Sequence, residues 1–342
     1  MADVLKFTNP EPDFGLIAQS TKDISRLAFF QTDKMQGVQE KAQRVSAYAL
    51  DLQTILGEEL VSLSTKVQNL DFRELFSQLA EIDQELAKGT LSAKDSVAAK
   101  EARAELEGLF GSGISETKGK LRAAALKVQQ KAAEISGVVL AERTEETLKR
   151  HQALKPGFVK AIGEKVAARE KLIEDRSKII AAQDVIRAKN IADTFKEFIP
   201  KDLEKLDMTK PEAEAIRLGV EVLKKILGEV SEGFKYADLA DQRKVLDGKI
   251  DEVDGGIKAL QDEQRENDAL VDDLLKVMTI DSKRDVLRNE VNKLPVAWSG
   301  FADGLEKLSG SEVTEASVTR LLNTIKSYLG NCLDARNRVI IT

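Results

Sequence analysis

Side chains able to do chemistry are few in this chain. His151 is the single histidine in 342 residues and Cys332 the single cysteine. A Ser-His-Asp or Cys-His arrangement therefore has one candidate base, lying beside Lys149 and Arg150 on a charged stretch. That setting reads as a surface histidine. Multi-histidine metal sites and cysteine clusters cannot be built, and no intrachain disulfide can form. The run Gly113-Ile114-Ser115-Glu116-Thr117-Lys118-Gly119-Lys120 resembles a phosphate-binding loop. Its spacing is wrong, and Leu121 stands where a magnesium-binding hydroxyl belongs. Acidic neighbours such as Glu58/Glu59 and Asp272/Asp273 are ordinary on solvated helices. The expectation is a chain without catalytic, cofactor-binding or metal residues and without a small-molecule substrate, hence no enzyme.

The bulk composition points to what these residues are embedded in. Charged residues make up 32% and aromatics 5%, with Ala, Leu, Val, Ile, Glu, Lys and Gln dominant. That is the composition of long helices, not of a thick enzyme core. A net charge of -6 argues against nucleic acid as a partner. The opening MADVLKFTNPEPDF has neither a basic nor an apolar region, so no classical signal peptide is expected. No run approaches the ~18 apolar residues of a constitutive transmembrane helix.

Six prolines punctuate the chain: Pro10, Pro12, Pro156, Pro200, Pro211 and Pro295. Proline breaks helix interiors, so the long proline-free windows permit very long helices. The spacing predicts a first helix over 13–30 and a second over 33–87, whose apolar phase slips once between Leu70 and Leu75. Lys88-Gly89-Thr90-Leu91 reads as a turn, with Ser92 as the next N-cap. A third helix should reach Leu154 with a kink near Gly111-Ser112-Gly113, and Pro156-Gly157 should interrupt the chain. A corner is expected around Pro295 and a final helix beyond Ser309. The fold class is all-α: an elongated antiparallel bundle or coiled coil of very long helices with a mid-chain amphipathic helical hairpin.

That hairpin is the most apolar feature. Its first arm, 158–198, carries a heptad seam through Val185, Ala188, Ala192, Phe195 and Ile199, widened by Ile191 and Phe198. Pro200 ends it. Thr209-Lys210-Pro211-Glu212 has capping-box spacing. The return arm carries Ile216, Val220, Leu223, Leu227, Val230 and Phe234, with Leu218, Val222 and Ile226 as a second stripe. Phe195, Phe198, Ile199, Leu203, Leu206 and Met208 should form a tip. Beyond it, Gln264 and Asn267 are polar at seam positions, a pattern that fixes register. Residues 149–189 hold 11 basic and 5 acidic side chains, and 241–273 hold 5 and 11. A fold-back near residue 205 would lay 241–273 beside 137–169, overlapping the opposite charges over about half their length. Residues 157–236 are expected as a head, with 1–156 and 237–342 as a stalk or tail bundle.

Long helices around a mid-chain amphipathic hairpin and the Pro200–Pro211 turn resemble the cytolysin-A-like α-helical pore-forming toxins. More narrowly, the chain resembles the B component of the binary xenorhabdolysin toxins (the XaxB/YaxB/PaxB group). The resemblance covers nearly the whole chain and rests on arrangement rather than a short motif. It implies a soluble monomer, secreted without a classical signal peptide, that joins an A-component subunit on a lipid membrane and inserts. Pro156, Gly157, Gly228 and Gly233 would then be hinges. A cytoplasmic coiled-coil scaffold or tether fits the heptads and charge equally but accounts less well for the apolar excess at the hairpin end, and a peripheral membrane-remodelling protein shares the hairpin but predicts no conductance.

Overall fold

The computed structural model describes residues 9–190, 209–228, 235–308 and 314–341. Among these every regular element is helical: α1 (Phe14–Phe30), α2 (Gln36–Gln68), α3 (Arg73–Lys88), α4 (Ala93–Ser136), α5 (Ala141–Ala188), α6 (Lys210–Leu227), α7 (Tyr236–Val291), α8 (Lys293–Lys307) and α9 (Glu315–Ile341). The chain is an all-α bundle of long helices. It divides into two compact units, Met1–Leu148 with Asp273–Thr342, and Lys149–Asp272. Helices α5 and α7 have residues in both.

In the first unit α2 and α4 run antiparallel, bridged by Lys66–Glu116 at 2.7 Å, Lys127–Glu59 at 2.7 Å and Lys131–Asp51 at 2.9 Å. Their facing stripes, Leu52, Leu56, Leu60 and Leu63 against Leu121 and Ile135, are buried together with Trp298 and Phe301 of α8. Phe301 meets Tyr328 of α9 edge-on at 5.3 Å. The segment before α1 is strapped to this unit. Tyr328 Oη donates to the Pro10 carbonyl (3.1 Å), Asn331 Nδ2 to Glu11 Oε1 (3.1 Å), and the Asp13 amide to Glu290 Oε2 (2.8 Å).

Four helix boundaries differ from the sequence reading, each for a physical reason. The expected 33–87 helix breaks at 69–72, where the apolar phase slips. Lys326 Nζ donates to the Gln68 and Leu70 carbonyls (3.3 and 2.9 Å), satisfying the end of α2, and Asp71 Oδ1 accepts from the Arg73 amide (3.0 Å) to start α3. Phe72 turns in against Phe110 at 5.0 Å. Its ring lies where a Cβ on Gly113 would be 3.0 Å from Phe72 Cζ, so that glycine admits a ring instead of kinking α4.

The second boundary is the α4–α5 gap at 137–140, absent from the sequence reading. Arg284 of α7 donates to the Val138 carbonyl (2.7 Å), while Asp281 Oδ2 accepts from the Ala141 amide (3.0 Å) at the start of α5. The third is Pro156-Gly157, where the expected interruption does not occur: Pro156 lies inside α5. Residues 152–157 are all exposed, so the carbonyl that loses its helical donor faces water. Pro295 likewise makes no corner. It occupies the first turn of α8, where no amide is required, and the break before it is Asn292.

Candidate functional site

The second unit, Lys149–Asp272, contains the hairpin region. Helices α5 and α7 pair antiparallel through Lys155–Asp268 (3.3 Å), Arg169–Asp254 and Arg176–Asp247. All three bridges are centred between residues 211 and 212, not near 205. That register lays 241–273 beside about 150–182, so the acidic stretch falls wholly against the basic one. Most partners are more than a third exposed, so each bridge adds little stability; together they specify register. His151 and Asn267 join the same two helices, with their midpoint at residue 209. His151 Nδ1 and Asn267 Oδ1 lie 2.8 Å apart, and Asn267 Nδ2 donates to the His151 carbonyl at 3.1 Å. The sole histidine thus makes a structural bond to the polar seam residue.

Helix α6 follows a different register. The Glu212 Oε2 acceptor takes the Thr209 amide at 2.8 Å, closing the capping box anticipated from the sequence. The hydrogen bond from that amide lowers the Glu212 carboxyl below its ordinary value, with Lys189 adding to it. Lys189–Glu212 (3.2 Å) and Lys225–Asp175 (2.6 Å) tie α6 to α5 at its two ends. Asp175 is buried and Lys225 exposed. Between them Gly219 passes so close to α5 that a Cβ would be 2.4 Å from Ala182 Cβ and 3.3 Å from the Lys178 carbonyl. These contacts are centred on residues 200–201, about eleven positions before the α5–α7 centre.

The apolar face of α6 is consequently enclosed by α5 and α7. Ile179 and Ile186 of α5, Ile216, Val220, Val222 and Leu223 of α6, and Leu239 and Leu246 of α7 form one buried cluster. Val185, Ile226 and Tyr236 pack against it. Of the predicted arm residues, Ile216, Val220 and Leu223 are core, Val185 is half-buried and Leu227 is 50% exposed. Ile191, Val230, Phe234, Gly233 and all six tip residues, Phe195 to Met208, lie outside the described residues. Gly228 ends α6 at φ 83°, ψ -167°, a conformation that favours glycine. Sequence reasoning missed Gly219, Asp175 and Lys225. A glycine inside an otherwise strong amphipathic pattern was the available signal for the first; the ion pair had none.

Among the described residues no group of three or more metal-ligating side chains converges, and no helix is long and apolar enough to cross a membrane. What the unit offers is an amphipathic helix whose apolar face is hidden, held by two ion pairs and a glycine contact.

No protein-family model matches the chain, and no curated protein matches it significantly. Solved structures do match. XaxB from Xenorhabdus nematophila is 34% identical with a TM-score of 0.88, over 96% of this chain and 100% of that one. PaxB from Photorhabdus luminescens is 31% identical with a TM-score of 0.80, over 96% and 98%. A chain of the XaxAB pore complex from Xenorhabdus nematophila is 34% identical with a TM-score of 0.77, over 96% and 99%. Identity above 30% across the full length of these chains, on one shared fold, places this chain in the family of B components of binary α-pore-forming toxins of the xenorhabdolysin type.

Proposed function

We propose that this protein is the membrane-inserting subunit of a two-component pore. A water-soluble, non-enzymatic monomer, released from the producing cell, joins an A-type subunit on a host membrane and extends its hairpin into the bilayer. The observation that supports this reading most is the mismatch of registers within the second unit. Helix α7 pairs with α5 about residues 211–212, while α6 folds back about 200–201. If α6 straightened onto α7 with the α5–α7 register kept, residues 190–210 would pair with 213–233. Each arm would then extend by about 31 Å at 1.5 Å per residue, against a hydrocarbon core of roughly 30 Å.

The extended arms would be amphipathic rather than uniformly apolar. Ile191, Phe195, Phe198 and Ile199 on one and Ile216, Val220, Leu223 and Val230 on the other supply a lipid-facing stripe. Their charged faces would be costly against lipid, so several copies must surround water. Insertion is therefore coupled to assembly, which is the task of the A-type subunit. Gly228, between α6 and α7, is the hinge this movement uses; Pro156 and Gly157, inside an unbroken α5, are not needed for it. Dye release from liposomes tests the reading: the chain with its A-type subunit should release dye, and the chain alone little. No release with both present would refute it.

A further inference from the structure

Helix α3 is strongly amphipathic, yet none of its residues is buried. It packs on the first half of α4, whose buried positions begin only at Ile114. The two sides of this helical pair differ in charge. On one, Arg103 bridges Asp83 and Glu107, both at 2.7 Å, so the charges are spent internally. On the other, Ile82, Leu106 and Leu109 floor a groove of about 460 Å³, with Leu109 58% exposed. Glu81 and Glu105 stand on its rim, exposed, and neither has a basic partner among the described residues.

An apolar floor between unpaired carboxylates specifies its occupant. The complementary surface is a helix with one apolar stripe flanked by lysine or arginine. This chain does not supply it. The stretches 1–8, 191–208, 229–234 and 309–313 are each neutral or acidic. A second copy docking the same face two-fold would set carboxylates against carboxylates. An anionic lipid surface is repelled for the same reason. The geometry points to the α3–α4 groove as a docking surface for a basic amphipathic helix of the A-type subunit. This inference rests on the two-component reading above.

The test is an equilibrium titration of the labelled full-length chain on phosphatidylcholine–cholesterol liposomes carrying its A-type subunit. Glu81→Lys with Glu105→Lys should weaken binding at least tenfold. Leu109→Ala, which removes an exposed side chain, should weaken it several-fold with helical circular dichroism unchanged. Glu81→Gln with Glu105→Gln, which keeps side-chain shape, should abolish most of the salt dependence. Wild-type affinity and salt dependence in all three variants would overturn the groove while leaving two-component assembly intact. If the wild-type chain fails to bind its A-type subunit at all, the two-component reading itself fails, and the groove proposal with it. Self-association of the wild-type chain that the same variants abolish would instead assign the groove to a second copy and overturn the proposal.

Discussion

Gly228 holds a backbone conformation that an L side chain resists, and a Cβ there would meet nothing within 4 Å. Its substitution therefore acts through the backbone alone. Gly228→Ala should destabilise the folded-back form by about 1–3 kcal/mol, and a continuous helix gains about 1 kcal/mol from alanine over glycine. Both effects favour straightening, so dye release in the presence of the A-type subunit should quicken several-fold; an unchanged or slower rate would count against Gly228 as the hinge. Gly219→Val works from the packing side. Its Cβ cannot coexist with Ala182, so α6 must shift, at a cost of about 1–3 kcal/mol. Denaturant unfolding should show the loss. Phe198→Asp should block release while leaving the soluble fold intact, since a charge at mid-membrane costs about 2.5–3.5 kcal/mol. Release at the wild-type rate would remove Phe198 from the inserted stripe. At this scale the sequence disclosed the residues whose role follows from pattern: the capping box at Thr209–Glu212 and Asn267 at a seam. It hid Asp175–Lys225, because a pair fifty positions apart on two different helices leaves no periodic trace. Cys332 is likewise silent in sequence. Burial pushes its thiol up to about 12, so it should resist alkylation at pH 8 until the chain is unfolded.

Helix boundaries depend on groups that lie far away in the chain. Arg284 closes the α4–α5 gap from α7 through the Val138 carbonyl and pairs with Asp281 at 3.0 Å. Arg284 is buried, and Arg284→Met would strand Asp281 without its cation, costing about 3–5 kcal/mol. A fall in the denaturation midpoint of the chain checks it. The gap was not legible because residues 137–140 contain no proline and only one glycine, and its cause is some 140 positions distant. Pro156 misled in the opposite sense: it lies inside α5, where the carbonyl that loses its donor faces water. The break at 69–72 was legible as a phase slip and was underweighted. For α6, the amide of Thr209 and Lys189 lower the Glu212 carboxyl in the folded state. Such a group stabilises above its ordinary value of about 4.3 and loses that contribution as pH falls through the lowered value. Glu212→Gln should therefore melt below wild type at pH 7 and converge with it as pH falls through that lowered value. A difference that stays constant as pH falls would show that the charge of Glu212 contributes nothing to the cap.

For the molecule as a whole, the all-α class and the opposite charge of the two stretches that pair in α5 and α7 were readable because each rests on repetition over tens of residues. The fold-back centre was misplaced because a single centre was assumed, whereas α6 and α7 pair with α5 about two. That second centre is also what gives the account its mechanism. If α6 straightens, Lys189 and Glu212, now paired at 3.2 Å, must separate by roughly the thickness of the hydrocarbon core, about 30 Å. The decisive measurement joins these positions. In a Cys332→Ser background, Lys189→Cys and Glu212→Cys are bridged by a short, reducible bis-thiol cross-linker, and liposome dye release is followed with the A-type subunit present. The account predicts no release with the bridge closed and recovery after reduction. Release at the uncross-linked rate with the bridge intact would contradict the straightening of α6 and leave the register mismatch without a role.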